Sequence, residues 1–191
     1  PTEGASVGAF GTGLVAWFTG NLRWQQLRGA LIATASGTAM MFLIVLGAAF
    51  FNGFLALSQV PQTISAWVTD QGFGPWTVLA IILCIYLVLG CVMDSLSMIF
   101  LTIPIFFPVM LSLDFGLSPE HMAIWFGILV LIAVEVGMIT PPVGMNLFVI
   151  NAIERETPLR QTYHAVTFFV ASDILRVVVL VLFPGITLFL L

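Results

Sequence analysis

The amino-acid sequence predicts an all-α polytopic membrane protein, and two observations support this fold class. Of the 191 residues, 60% are hydrophobic and only 7% are charged, whereas a soluble domain carries about 25% charged residues. Pro141 and Pro142 lie between Gly137 and Gly144 inside an apolar stretch, and two adjacent prolines cannot continue a helix. Lipid cannot satisfy free backbone groups, so such a break must face protein or a polar cavity. Transporters use broken helices of this kind to bind ions and substrates.

The charge and cysteine content of the chain argue against nucleic-acid binding and against a disulfide. The chain has no lysine and only five arginines, so it offers no basic patch for nucleic acid. Cys84 and Cys91 are seven residues apart, about 10.5 Å along a helix, which is too far for a disulfide. We expect both to pack against apolar neighbours. The chain begins with PTEGASVG rather than methionine, so we expect a segment of a longer protein.

The N-terminal third predicts two helices. Residues 5–19 are small and apolar, and Gly4 and Gly8 are spaced for close helix packing in a membrane. Neither a strand before them nor a Lys-Ser/Thr pair after them supports a phosphate-binding loop. A polar turn is expected at 21–28. Residues 30–51 then supply enough apolar residues to span a bilayer.

The middle of the chain predicts a connector and a helical hairpin. Residues 52–75 are the most polar stretch, and we expect a short interfacial helix there with Trp67 as an anchor. Residues 76–111 contain two apolar runs separated near Asp94–Ser97. The second run, 98–111, is too short for a comfortable span. This favours a hairpin, re-entrant or spanning, with its tip near Asp94–Ser97.

The C-terminal half predicts a broken helix and a last span. Ser118 is a suitable N-cap, followed by proline at the first helical position. The helix from Pro119 should run to Ile139, break at Thr140–Gly144 and resume over 145–153, ending near a charged cluster. A last helix is expected at 161–183.

The arginines predict the orientation. If the hairpin enters and returns on one side and the broken helix crosses once, four arginines fall on the same face: Arg23, Arg28, Arg155 and Arg160. By the positive-inside rule this face is cytoplasmic. Asp70 and Asp114 then lie on the outer face.

The hairpin tip carries the first group of candidate site residues. Asp94 stands beside Ser95 and Ser97 within apolar sequence, and a carboxylate inside a membrane usually marks an ion or substrate path. The alternative is that Asp94 only caps the second helix of the hairpin. Both roles can coincide, because a helix N-terminus also attracts anions.

The helix break carries the second group. Carbonyl groups freed by Pro141 and its neighbour can coordinate a hard cation, and the oxygens of Thr140, Gly144 and Asn146 can complete its shell. Few carboxylates are nearby, so sodium is favoured over a divalent ion. The alternative is a proline kink that serves packing alone.

Three further charged residues lie inside membrane sequence. Glu135 is either a proton or cation site or a neutral, hydrogen-bonded carboxyl group. Asp173 and Arg176 are three residues apart on the last helix, where they should pair with each other. Arg176 is also a candidate ligand for a substrate carboxylate.

Four stretches resemble the C-terminal half of the large membrane subunit, DctM type, of tripartite ATP-independent periplasmic (TRAP) transporters. They read PTEGASVGA, GCVMDSLSMIFLTIPIFFPVM, EVGMITPPVGMNLFVINAI and FPGITLFL, and they are ordered and spaced as in that family. The resemblance implies the second inverted repeat of an elevator-type transporter. It assigns residues 1–60 to scaffold helices, 61–75 to an interfacial connector and 76–191 to the transport region.

The resemblance also implies a function and partners. Such a protein lies in the bacterial inner membrane and uses a sodium gradient to import organic acids, such as dicarboxylates or sialic acid. A DctP-type periplasmic binding protein delivers the substrate, and a small DctQ-type membrane subunit completes the complex. Sodium as the coupling ion is the one non-protein component expected. The Asp94 region and Thr140–Asn146 would then carry a sodium site and part of the substrate site.

Two other functions remain open from the sequence. The chain could be a structural membrane subunit without an ion site of its own. An intramembrane hydrolase would need Asp94 and Glu135 within reach of one water, and their spacing in the sequence gives no reason to expect this.

Overall fold

The computed structural model describes residues 2–20, 23–153 and 158–189, and all regular secondary structure in these residues is helical. In chain order the helices are α1 (Thr2–Phe18), α2 (Trp24–Ser58), α3 (Val60–Asp70), α4 (Pro75–Gly90), α5 (Ser95–Leu111), α6 (Pro119–Ile139), α7 (Met145–Ile153), α8 (Leu159–Leu182) and α9 (Gly185–Leu188). Helices α2, α6 and α8 are long and apolar enough to cross a membrane, while α4 and α5 are shorter apolar helices. The prediction of an all-α polytopic membrane protein is confirmed.

Helix α2 is longer than its sequence suggests. The predicted span 30–51 lies inside a helix of 35 residues, about 52 Å long at 1.5 Å per residue. The polar turn expected at 21–28 is therefore wrong from Trp24 onwards. Gln26 explains the early start, since its side-chain Oε1 accepts from the Arg23 backbone N–H at 2.8 Å and so satisfies a free donor of the first turn.

The connector contains the short helix expected there, with different limits. Residues 52–58 continue α2, and α3 begins only after Gln59, whose φ of 54° turns the chain. Pro61 stands in the first turn of α3, where its missing N–H costs nothing. Trp67 is 57% exposed, which leaves its side chain free for the predicted anchoring role.

The chain consists of two compact units, and the boundary between them lies inside α2. The first, Pro1–Leu46, holds α1 and the start of α2, and no described residue of α1 is buried. The second, Gly47–Leu191, holds all other helices and the core. The predicted division into scaffold, connector and transport region concerns motion and stays a prediction.

The core of the second unit forms around α6. Trp125, Phe126 and Leu129 of α6 are at most 1% exposed, as is Tyr86 of α4. Trp125 packs edge-on against Phe115, with ring centroids 5.5 Å apart, an arrangement that aromatic rings favour. Helices α4, α5 and α8 pack against α6.

Pro104 in α5 and Pro184 after α8 each free a carbonyl group that a side chain of another helix satisfies. Pro184 has no N–H for the Leu180 carbonyl four residues earlier, and the Trp125 indole donates to that oxygen at 2.9 Å. Pro104 likewise leaves the Phe100 carbonyl without a helical donor, and the Asn52 amide of α2 donates to it at 3.3 Å. Such substitutes make proline tolerable in membrane helices.

Candidate functional site

The predicted hairpin consists of α4, a turn at residues 91–94, and α5. Asp94 is the N-cap of α5, where its Oδ2 accepts from the Ser97 N–H at 2.9 Å. The turn ends at Asp94, three residues earlier than expected, so Ser95 and Ser97 lie in the first turn of α5 rather than in the tip. Asp94 therefore does cap the helix, and its carboxylate keeps acceptor capacity that a cap does not use.

The predicted helix break is confirmed. Helix α6 ends at Ile139 and α7 begins at Met145. Residues 140–144 between them are not helical; the Pro141–Pro142 bond is cis, and Gly144 has a φ of 60°. The charged cluster expected to end α7, residues 154–156, lies outside the described residues.

A contact between two glycines brings the hairpin to the break. A Cβ atom on Gly137 would lie 2.8 Å from the Gly90 Cα and 2.8 Å from the Leu87 carbonyl oxygen. A Cβ atom on Gly90 would lie 2.9 Å from the Val134 carbonyl oxygen. All these neighbours are backbone atoms, so α4 and α6 touch through their main chains directly before the hairpin turn and within one helical turn of the break. The end of α4 therefore lies close to the break, while a direct contact of Asp94–Ser97 with Thr140–Gly144 stays a prediction.

Polar contacts join the two segments at this point. The Cys91 thiol lies 3.5 Å from the Thr140 carbonyl oxygen, which faces the hairpin turn. The Ser95 hydroxyl donates to Glu135 Oε1 at 2.8 Å and lies 2.9 Å from the Met138 sulfur. Glu135, a candidate left open by the sequence, is thus tied to the start of α5.

Tyr163 of α8 is a contributor that the sequence did not reveal. Its hydroxyl lies 2.8 Å from the Val143 carbonyl oxygen and 3.1 Å from that of Pro142. A buried or lipid-facing carbonyl needs a donor, and this phenol supplies one to the break. The available signal was a lone tyrosine at the start of the last helix, directly after the broken one.

Several oxygens of the break keep free acceptor sites. The Thr140 hydroxyl donates its proton to the Val136 carbonyl, so its own lone pairs remain available. The Asn146 amide has no hydrogen-bond partner among the described residues, and it is half-buried in the first turn of α7. Together with the break carbonyls, these are hard oxygen donors of the type that bind alkali cations.

A cavity of about 230 Å³ opens between the hairpin turn and the break. Its lining comes equally from both segments: Leu87, Val88, Cys91, Val92, Thr140, Pro141, Pro142 and Val143. The space beside Pro141 and Thr140 is thus shared by the two segments that carry the candidate residues.

Arg176 does not join this group. It forms an ion pair with Asp173 at 2.9 Å on the same helix, as expected, and none of its contacts with the described residues reaches the tip or the break. Within the described part of the chain, no three His, Cys, Asp or Glu side chains converge on a point that could hold a metal ion.

Comparison with known proteins gives a consistent result. The model of the family described as tripartite ATP-independent periplasmic transporter, DctM component, matches residues 1–186. The chain is 33% identical over 189 residues, 98% of its length, to the C4-dicarboxylate TRAP transporter large permease protein DctM of Pseudomonas aeruginosa. It is 30% identical over 158 residues, 80% of its length, to the sialic acid TRAP transporter large permease protein SiaM of Vibrio cholerae.

A third relative has a composite name. The isethionate TRAP transporter permease protein DctMQ of Oleidesulfovibrio alaskensis is 29% identical over 154 residues, 80% of this chain. The chain spans 43%, 35% and 23% of the lengths of these three relatives. No solved structure matches the chain significantly.

Proposed function

Because the chain belongs to the DctM component family of tripartite ATP-independent periplasmic transporters, we propose that it forms part of a sodium-coupled importer of organic acids. It is a membrane protein, and its relatives are transporter permease components rather than enzymes. The bacterial inner membrane is the proposed location. The observation that carries the proposal is the meeting of the hairpin turn with the helix break at the Gly90–Gly137 contact.

The proposed sodium site uses oxygens of the break. Thr140 supplies a hydroxyl whose proton is already donated to the Val136 carbonyl. Asn146 supplies an amide oxygen that has no partner among the described residues, and Gly144 supplies a backbone carbonyl. Such neutral oxygens suit a monovalent cation, whose charge does not require several carboxylates. A break that exposes carbonyls beside a half-helix is the recurrent geometry of coupling-ion sites in transporters.

The substrate is proposed to lie at the start of α5, beside the cation. The first turn of α5 presents Ser95 and Ser97, and a helix N-terminus favours an anionic group. The cation bound at Thr140 and its neighbours adds positive charge on the other side. The relatives named for C4-dicarboxylate, sialic acid and isethionate transport all carry acidic substrates, so the proposal extends only to an organic acid.

The transport cycle is proposed to be of the elevator type. In this proposal the transport region 76–191 moves with the substrate, 1–60 stays as scaffold, and the hairpin is re-entrant. A small membrane subunit of the DctQ type and a periplasmic binding protein of the DctP type complete the system. The composite name DctMQ of one relative supports the membrane partner.

The sodium proposal predicts the effect of two substitutions. Thr140→Ala removes one oxygen ligand, so we expect the sodium concentration for half-maximal uptake to rise about tenfold, equivalent to about 1.4 kcal/mol of binding free energy. Asn146→Leu should raise it further, because a leucine side chain cannot coordinate a cation. The measurement is substrate uptake by the complete transporter in reconstituted vesicles, at sodium concentrations from limiting to saturating.

Thr140→Ser is the matched control, since it keeps the hydroxyl and should keep the wild-type sodium dependence. An unchanged sodium dependence in Thr140→Ala excludes Thr140 from the site. Wild-type uptake that needs only a proton gradient excludes sodium coupling, and Glu135, held by Ser95, then becomes the candidate coupling group.

The proposed orientation can be tested separately. We expect a cysteine introduced at Arg28 or Arg160 to react with a membrane-impermeant thiol reagent only from the cytoplasmic side, and one at Asp70 or Asp114 only from outside. The reason is the positive-inside rule applied to the loops that flank the spans. Labelling of position 160 from the periplasm contradicts the topology.

A further inference from the structure

Helix α5 contains a carbonyl group that its own helix cannot satisfy. Pro104 has no N–H, so the Phe100 carbonyl oxygen lacks the donor that an uninterrupted helix would supply. Inside a membrane this oxygen needs another donor, because lipid offers none. The Asn52 Nδ2 of α2 lies 3.3 Å away and donates to it.

This bond links α2 to the hairpin across 48 positions of the chain. The described residues of α2 form no other side-chain hydrogen bond to α4 or α5. The contact is therefore a single polar link between a long helix and the hairpin that carries Asp94 and Ser95.

Within the described part of the chain, only the NH2 group of the Asn52 side-chain amide forms a hydrogen bond. Its Oδ1 is buried and has no hydrogen-bond partner among the residues that the structure describes, which is unusual for a buried side-chain oxygen. An asparagine kept for packing alone would be better replaced by an apolar residue. Asn52 therefore supplies a donor to the Phe100 carbonyl, although its own Oδ1 is left unsatisfied.

We propose that Asn52 is a positioning residue, a releasable tether that holds α5 against α2 through the Phe100 carbonyl freed by Pro104. The inference rests on the proposed transport function for its role in the cycle. The bond forms in the state described here and breaks when the hairpin moves past α2. While it is formed, it favours this state, since the carbonyl has no donor within its own helix.

The tether predicts that Asn52 matters only while position 104 is proline. Asn52→Leu removes the donor, so we expect the maximal uptake rate to change about twofold or more, in line with the smallest couplings seen between contacting residues. Amide hydrogen exchange of the peptide 95–111 should also become faster. In Pro104→Ala, the alanine N–H can satisfy Phe100, so adding Asn52→Leu should have little further effect on either measurement.

Pro108→Ala is the matched control. Pro108 stands in the same helix but frees a different carbonyl, so Asn52→Leu should keep its full effect in that background. If Asn52→Leu does not fold while Asn52→Leu/Pro104→Ala does, that rescue also supports the tether.

Equal effects of Asn52→Leu with proline and with alanine at position 104 overturn the inference. Failure of the proposed function gives a different result: the wild-type complex shows no sodium-driven uptake. The exchange measurement on 95–111 needs no transport, so in that event it still decides whether the tether exists.

Discussion

Replacing Gly137 by alanine should stop uptake by the complete transporter and lower its free energy of unfolding by about 1–3 kcal/mol, the usual range for overpacking a core. The added methyl group would lie 2.8 Å from both the Gly90 Cα and the Leu87 carbonyl oxygen. Backbone atoms cannot rotate away, so α4 and α6 must separate. That separation moves the hairpin turn away from the break, and the site loses one of its two walls.

The matched control is Gly127→Ala in the same helix. A methyl group at Gly127 meets nothing within 4 Å, and alanine favours a helix over glycine by about 1 kcal/mol. We expect this variant to transport normally. Thermal unfolding in detergent and uptake in vesicles should both be measured; normal uptake by Gly137→Ala would show that the contact does not set the geometry of the site. Gly90→Ala should reproduce the defect from the opposite side.

Replacing Gly144 by alanine should raise the sodium requirement of uptake by about tenfold, equivalent to about 1.4 kcal/mol. Gly144 has a φ of 60°, a conformation that costs other residues about 1–2 kcal/mol. The new methyl group would also lie 3.2 Å from the Thr140 carbonyl oxygen and 3.3 Å from Leu147 Cδ1. Relief of both strains displaces the break carbonyls that are proposed to bind the cation.

Gly72→Ala is the control that distinguishes the effect of backbone strain from an effect on the proposed sodium site. Gly72 has a φ of 67°, but a methyl group there meets nothing within 4 Å. This variant should lose a similar amount of stability and keep the wild-type sodium dependence. A sodium dependence that shifts equally in both variants, or in neither, contradicts the assignment of the break as the cation site.

The features that the sequence predicted well depend on local chemistry. Two adjacent prolines exclude helix whatever surrounds them, so the limits of α6 and α7 at Ile139 and Met145 could be given in advance. Ser118 and Asp94 were recognisable as N-caps for the same reason. The closeness of the hairpin turn to the break agrees with the need of both segments for a polar environment.

Other features depend on neighbours that no local pattern encodes. The limits of α2 were missed because Gln25, Gln26 and Arg28 are as compatible with a helix as with a turn, and the side-chain contact from Gln26 to Arg23 decides between them. Pro104 shows which carbonyl is freed, but only the fold shows that Asn52 reaches it. Likewise, only the fold shows that the Tyr163 hydroxyl reaches the Val143 carbonyl.

The donors that satisfy proline-freed carbonyls also imply an order of assembly at the ribosome. Asn52 and Trp125 precede the carbonyls of Phe100 and Leu180 along the chain, so each donor is already in the membrane when its acceptor emerges, because synthesis runs from the N-terminus. Tyr163 follows Val143. The Val143 carbonyl is therefore synthesised before its donor. A nascent chain released before Tyr163 should expose this unsatisfied carbonyl to quality-control proteases.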